Sequence, residues 1–119
     1  MYRKLLRSKI HLATVTDSNL DYVGSITIDS DLIKKAGMVE YELVQVVNLN
    51  NGARFETYLI SGTAGSGTIE INGAAARLVH TGDKIIAMAY GLAENEDLPD
   101  WKPTIVLVGD ENQVKEVLC

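Results

Sequence analysis

Apolar residues along this chain alternate over short runs, and turn residues interrupt them. Residues 5–16 contain such a run, with Ile10, Leu12 and Thr14 expected on one face and Lys9, His11 and Ala13 on the other. The cluster Asp17-Ser18-Asn19 reads as a turn, and Ser25-Ile26-Thr27-Ile28-Asp29 resumes the alternation with β-branched residues. Ser30-Asp31 is placed to cap a short helix over 32–36 that stops at Gly37. A strongly apolar strand over 41–49, the turn Asn50-Asn51-Gly52 and a strand over 54–60 make a β-hairpin. Residues 61–67 are glycine-rich and predict a loop. A strand over 68–71, a turn at Asn72-Gly73, helical turns over 74–79 and a turn at Thr81-Gly82-Asp83 follow. Strands over 84–90 and 104–108 complete the pattern. Closely spaced short strands of this kind predict a small closed β-barrel, mainly β with a few short helices.

Composition narrows the class. The chain has 119 residues, which predicts one domain, and 46% hydrophobic with 23% charged residues argues against disorder. A domain of this size buries a modest core and gains from oligomerisation. No apolar run approaches the roughly 20 residues that span a bilayer, and the basic start Met1-Tyr2-Arg3-Lys4 is followed by no apolar signal region. These features predict a cytoplasmic protein with no membrane partner. The net charge of −5 argues against nucleic acid as a partner. The acidic stretches 94–100 and 110–116 read as a surface loop and a mobile tail. One cysteine, Cys119, and two histidines, His11 and His80, without paired spacing argue against a metal site.

Chemistry enters through motifs in a fixed order. They are Lys9-Ile10-His11, Tyr22-x-Gly24-Ser25-Ile26-x-Ile28-Asp29, Asn51-Gly52-x-Arg54-Phe55-x-Thr57-Tyr58, Asn72-Gly73-Ala74-Ala75-Ala76 and Gly82-Asp83. Each block alone is weak, and Gly24-Ser25 alone is a turn glycine before a strand. Together they resemble the pyruvoyl-dependent aspartate 1-decarboxylase family from about Lys9 to about Tyr90. The sequence departs from that family's pattern at Val47, where some relatives carry tryptophan, and at Ala64, where a basic residue is frequent.

The resemblance implies a double-psi β-barrel and a homotetramer with active sites at subunit boundaries. It implies self-cleavage between Gly24 and Ser25 into a β chain, 1–24, and an α chain, 25–119, whose Ser25 becomes the pyruvoyl group. That cofactor forms a Schiff base with L-aspartate and releases β-alanine and CO2, in pantothenate and coenzyme A biosynthesis. The implied roles are Ser25 as cofactor precursor, Tyr58 as proton donor, and Thr57, Gly73, Ala74, Ala75, Arg54 and Lys9 as substrate-binding residues. Asn72, His11 and Tyr22 support them, and an accessory maturation protein is an admissible partner. Arg54 and Tyr58 share a strand face by alternation, while Thr57 falls on the opposite one. A site using both Thr57 and Tyr58 therefore calls for a bulge or for two subunits. Two alternatives compete with this reading. One is a non-catalytic small β-barrel binding module, and the other is a related pyruvoyl enzyme acting on a different amino acid.

Overall fold

The computed structural model describes residues 1–119. Nine strands form it: β1 (Arg3–Thr14), β2 (Asp17–Asn19), β3 (Ser25–Asp29), β4 (Leu43–Asn48), β5 (Arg54–Gly62), β6 (Ile69–Asn72), β7 (Lys84–Ala93), β8 (Thr104–Val108) and β9 (Val114–Leu118). One α-helix, α1 (Ser30–Ala36), follows β3, and 3-10 turns occupy Gly73–Leu78, Asn95–Asp100 and Asp110–Asn112. The expected mainly β class holds. The strands hydrogen-bond in the order β2-β6-β3-β5-β4-β7-β1-β8-β9. The pairs β1–β8, β2–β6 and β3–β5 are parallel and the others antiparallel. The hydrogen bonds thus define a nine-stranded mixed sheet with ends at β2 and β9, rather than a closed ring.

One hydrophobic cluster joins the elements. Ile10, Ile26, Ile28, Val44, Val46, Leu59, Ile69, Ile71, Ile85 and Val106 are all buried in it, with Leu32 and Ile33 of α1 laid against them. The β-branched alternation of β3, β4 and β6 supplies this face, as the pattern requires. The hairpin turn is as expected, with Gly52 in the left-handed region at φ +76°.

Four local expectations are corrected. In β1 the alternation breaks at Leu12, which takes φ +65° and is accompanied by a register shift against β7 between His11 and Ala13. The extra residue turns Ala13 and Val15 inward beside Ile10, in place of Leu12 and Thr14. Asp17-Ser18-Asn19 is not a free turn but a short strand on β6. The helix cap is Asp29, whose carboxylate accepts from Asp31 N at 2.8 Å, so the helix begins at Ser30. Asp29 also accepts from Gly65 N at 3.1 Å and Gly67 N at 2.8 Å, which ties the 63–67 loop to the helix start.

The segment 110–116 is likewise no tail. Asn112 is buried, donates to Thr14 O and Gly67 O at 2.8 Å each, and accepts from Thr14 N at 2.7 Å. That clasp delivers β9 to β8. The acidic stretch 94–100 is a surface 3-10 turn closed by reciprocal Glu94 and Asp97 bonds. No helix is long and apolar enough to cross a membrane.

Candidate active site

β3 opens at Ser25, and its antiparallel register on β6 sets Ser25 directly against Asn72. Ile26, Ile28, Ile69 and Ile71 fill the core, so Ser25, Thr27 and Asn72 share the opposite face. Ser25 and Asn72 are nonetheless only 5% exposed. The Asn72 amide donates to Ser25 Oγ at 3.2 Å and to Thr27 Oγ1 at 3.4 Å. The Ser25 hydroxyl donates to Val23 O at 3.3 Å. Both hydrogen-bonding directions of the hydroxyl are therefore set by the chain around it.

Gly73 holds the other side of the Gly24–Ser25 bond. At φ +77°, a Cβ on Gly73 would stand 2.5 Å from Gly24 Cα, 2.9 Å from Gly24 N and 3.3 Å from Tyr22 O. Gly24 itself shows no such need, since a Cβ there would meet only Asn72 O at 4.0 Å. The close approach of the two backbones thus depends on the missing Cβ of Gly73 and not on that of Gly24. Ala74 and Ala75 follow in the first turn of the 3-10 segment, Ala74 exposed and Ala75 packed against the core. Tyr22 is 66% exposed, and its carbonyl oxygen faces Gly73.

β5 flanks β3 on the side away from β6. The parallel pair Ile26↔Leu59 puts Tyr58 level with Ser25 and on its face. The Tyr58 ring packs on Tyr41, with centroids 6.4 Å apart and planes inclined at 42°. The β4–β5 ladder runs from Leu43↔Tyr58 to Val47↔Arg54 with no register shift, so β5 carries no bulge there. Thr57 lies opposite buried Val44 and points inward with Phe55 and Leu59, whereas Tyr58 lies opposite Leu43, 62% exposed. Within one chain Thr57 and Tyr58 occupy opposite faces of the strand.

Lys9, His11 and Arg54 share the outer face. One row across the sheet reads Lys9, Met88, Gln45, Glu56, and the next reads His11, Ile86, Val47, Arg54. Strands β7 and β4 separate the two cations, a span of about 14 Å at ordinary strand spacing. Arg54 Nη1 donates to Gln45 Oε1 at 2.9 Å. His11 Nδ1 is buried without a hydrogen-bond partner. Burial, and secondly the charge of Lys9, lower the His11 pKa below its ordinary value, so the neutral ring is favoured.

The structure therefore gathers Gly24, Ser25, Asn72 and Gly73, sets Tyr58 beside them, and leaves Lys9 and Arg54 apart from each other. Val47 stands opposite Arg54, and Ala64 lies in the loop held by Asp29. Three neighbours escape a reading by motif: Thr27, Gln45 and Tyr90. Thr27 alone had a local signal, two residues along the strand face from Ser25.

The aspartate decarboxylase family profile matches residues 1–115. The aspartate 1-decarboxylase of Caldicellulosiruptor bescii is 63% identical over 114 residues, covering 96% of this chain and 89% of the relative. Those of Bacillus thuringiensis strain Al Hakam and Bacillus cereus strain AH187 are each 54% identical over 118 residues, covering 99% of this chain and 93% of theirs.

The chain belongs to the aspartate decarboxylase family.

Aspartate decarboxylases carry a pyruvoyl group made from a serine of their own chain. The residues present fit that group. Ser25 is buried, its hydroxyl is oriented by Asn72, and the backbone before it is cradled against a glycine where any Cβ would intrude.

Proposed function

We propose that this chain is the precursor of an aspartate 1-decarboxylase that cleaves itself between Gly24 and Ser25 and then converts L-aspartate to β-alanine and CO2. The observation that carries the reading is the buried Ser25 hydroxyl, bonded to Asn72, in a segment pressed against Gly73. In maturation the Ser25 oxygen attacks the Gly24 carbonyl carbon. The C–N bond breaks, an ester forms and the Ser25 amine is freed. Elimination expels the Gly24 carboxylate and leaves a dehydroalanine. Water then replaces the nitrogen, releasing ammonia and giving the ketone of an α chain that begins at residue 25.

The pyruvoyl ketone supplies the electron sink that decarboxylation next to an amine requires. The chain's own residues do the rest. Tyr58, level with Ser25, delivers a proton to the carbon that loses CO2. Arg54 presents a planar fork to one substrate carboxylate and Lys9 a point charge to the other. Gly73, Ala74 and Ala75 let the substrate approach the backbone closely. His11 stays neutral beside Lys9.

The span between Lys9 and Arg54, and the opposed faces of Thr57 and Tyr58, support a site completed by another copy, in keeping with the homotetramer of double-psi barrels that the family resemblance implies. The exposed apolar side chains of Leu20, Tyr22, Val23, Tyr41 and Leu43 offer surface for that contact. The enzyme would act in the cytoplasm, in pantothenate synthesis.

Intact mass spectrometry of the purified chain tests the proposal. The expected products are fragments 1–24 and 25–119, the latter lighter by one ammonia than its free-serine form, with CO2 released from aspartate. Ser25→Ala should remain one chain. Cleavage that occurs only after adding cell extract would assign a maturation protein to the process. An intact chain under both conditions, or faster CO2 release from glutamate than from aspartate, would overturn the assignment.

A further inference from the structure

Gln45 lies in the middle of β4, facing Met88 of β7 on one side and Glu56 of β5 on the other. Its amide oxygen accepts from Arg54 Nη1 at 2.9 Å and from the Tyr90 hydroxyl at 2.8 Å. A guanidinium has donors only, so the oxygen of the amide must be the atom that faces it. The Tyr90 hydroxyl then has to donate to that same oxygen. Three side chains from three strands, β4, β5 and β7, thus fix one orientation of the amide.

The neighbouring charge gives this arrangement its meaning. Glu56 is on the same face of β5 as Arg54, two residues or about 7 Å along the strand. It is exposed and makes no ion pair; the single ion pair of the chain joins Arg7 to Glu42. Gln45, Tyr90, Lys4 and Glu56 line one surface cavity of about 230 Å³. Arg54 is therefore bonded to a neutral amide although a carboxylate is at hand. A neutral acceptor orients a guanidinium without cancelling its charge, whereas a carboxylate would compete with a substrate carboxylate for the same fork.

We propose that Gln45, held by Tyr90, is a positioning residue that keeps Arg54 aimed and unpaired from Glu56, and so sets the affinity for the dicarboxylate substrate. This rests on the reading of Arg54 as the carboxylate clamp. Steady-state kinetics on the self-processed enzyme tests it. Gln45→Ala should raise KM for aspartate about three- to tenfold, with kcat within about twofold of wild type and self-cleavage at the wild-type rate. Gln45→Glu should raise KM further. Adding Glu56→Gln to Gln45→Ala should bring KM back toward wild type, a rescue that mere loss of packing would not show.

A KM for Gln45→Ala within about twofold of wild type, or a raised KM that Glu56→Gln leaves unchanged, would overturn the proposal. Arg54→Lys separates the two readings. If it leaves KM at the wild-type value, the Arg54 assignment falls and this inference with it. If it raises KM while Gln45→Ala does not, the clamp stands and only the part given to Gln45 is lost.

Discussion

Replacing Gly73 with alanine loads two costs onto one position, and the fold supplies a control that carries only one of them. Gly73 has φ +77° and Gly52 has φ +76°. An L-residue held in that region costs about 1–2 kcal/mol at either site. At Gly52 the new methyl meets nothing within 4 Å, whereas at Gly73 it would lie 2.5 Å from Gly24 Cα and 2.9 Å from Gly24 N. Relieving such a contact typically costs a further ~1–3 kcal/mol. Here the group that must give way is the backbone beside the Gly24–Ser25 bond, the proposed point of cleavage. If that displacement falls on the barrier to attack by Ser25, self-cleavage slows roughly 5- to 150-fold. The assay is the disappearance of freshly purified full-length chain, followed by denaturing gel and intact mass below the melting temperature of both variants. Gly52→Ala should process at the wild-type rate despite its lost stability. Equal processing rates for Gly73→Ala and Gly52→Ala would refute the idea that Gly73 sets the geometry of the scissile segment.

The other expectations concern His11, Asp29 and Asn112. The His11 pKa is lowered from 6.5 by burial first and Lys9 second. An NMR titration should give a midpoint below 6.5 that Lys9→Gln raises only part of the way. Because the folded state binds this proton less readily than the unfolded one, the associated stability is intact above 6.5 and is lost as pH falls through the lowered midpoint. A midpoint at or above the ordinary value refutes this, and His11→Gln should abolish that part of the pH dependence. Asp29→Ala orphans three backbone N–H groups and should cost about 2–4 kcal/mol in urea unfolding, measured in a Ser25→Ala background so that one chain unfolds. A loss under about 1 kcal/mol would show that the 63–67 loop is held by something else. Asn112→Ala should cost about 1–3 kcal/mol and speed amide exchange in β9. Unchanged exchange would mean that β9 stays on β8 without the clasp.

The sequence is most legible where structure is decided locally. Asn50-Asn51-Gly52 closes the β4–β5 hairpin because the turn chemistry is contained in the turn, and Gly37 ends α1 for the same reason. β1 misleads because its bulge at Leu12 is chosen by the pairing with β7, some 70 residues away. β2 and β9 leave little trace because short edge strands owe their conformation to a partner, β6 or β8, rather than to their own pattern. The candidate site follows the same division. Ser25 and Asn72 gain meaning from motifs recurring in family order, and the β3–β6 register then brings them together. Gln45 and Tyr90 carry no motif and meet only because β4 and β7 are neighbours in the sheet.

The position of β1 has a consequence for the proposed cut molecule. β1 lies between β7 and β8 in the interior of the sheet, and β2 pairs with β6 at its edge, so residues 1–24 are built into the sheet rather than appended to it. The proposed break after Gly24 removes none of the hydrogen bonds in those ladders, but it would change the molecularity of folding. The uncut precursor folds as a single chain, whose own tether presents the first two strands to the rest at an effective concentration on the order of millimolar. Under the proposed cleavage each protomer would consist of two fragments, and its refolding after denaturation would depend on how concentrated those fragments are. Dilution would then weigh on the pairing of the fragments within a protomer, a step that the tether of the precursor spares it. On the proposed cleavage, folding would have to precede the cut, and afterwards the protomer would persist chiefly because a central strand is slow to leave.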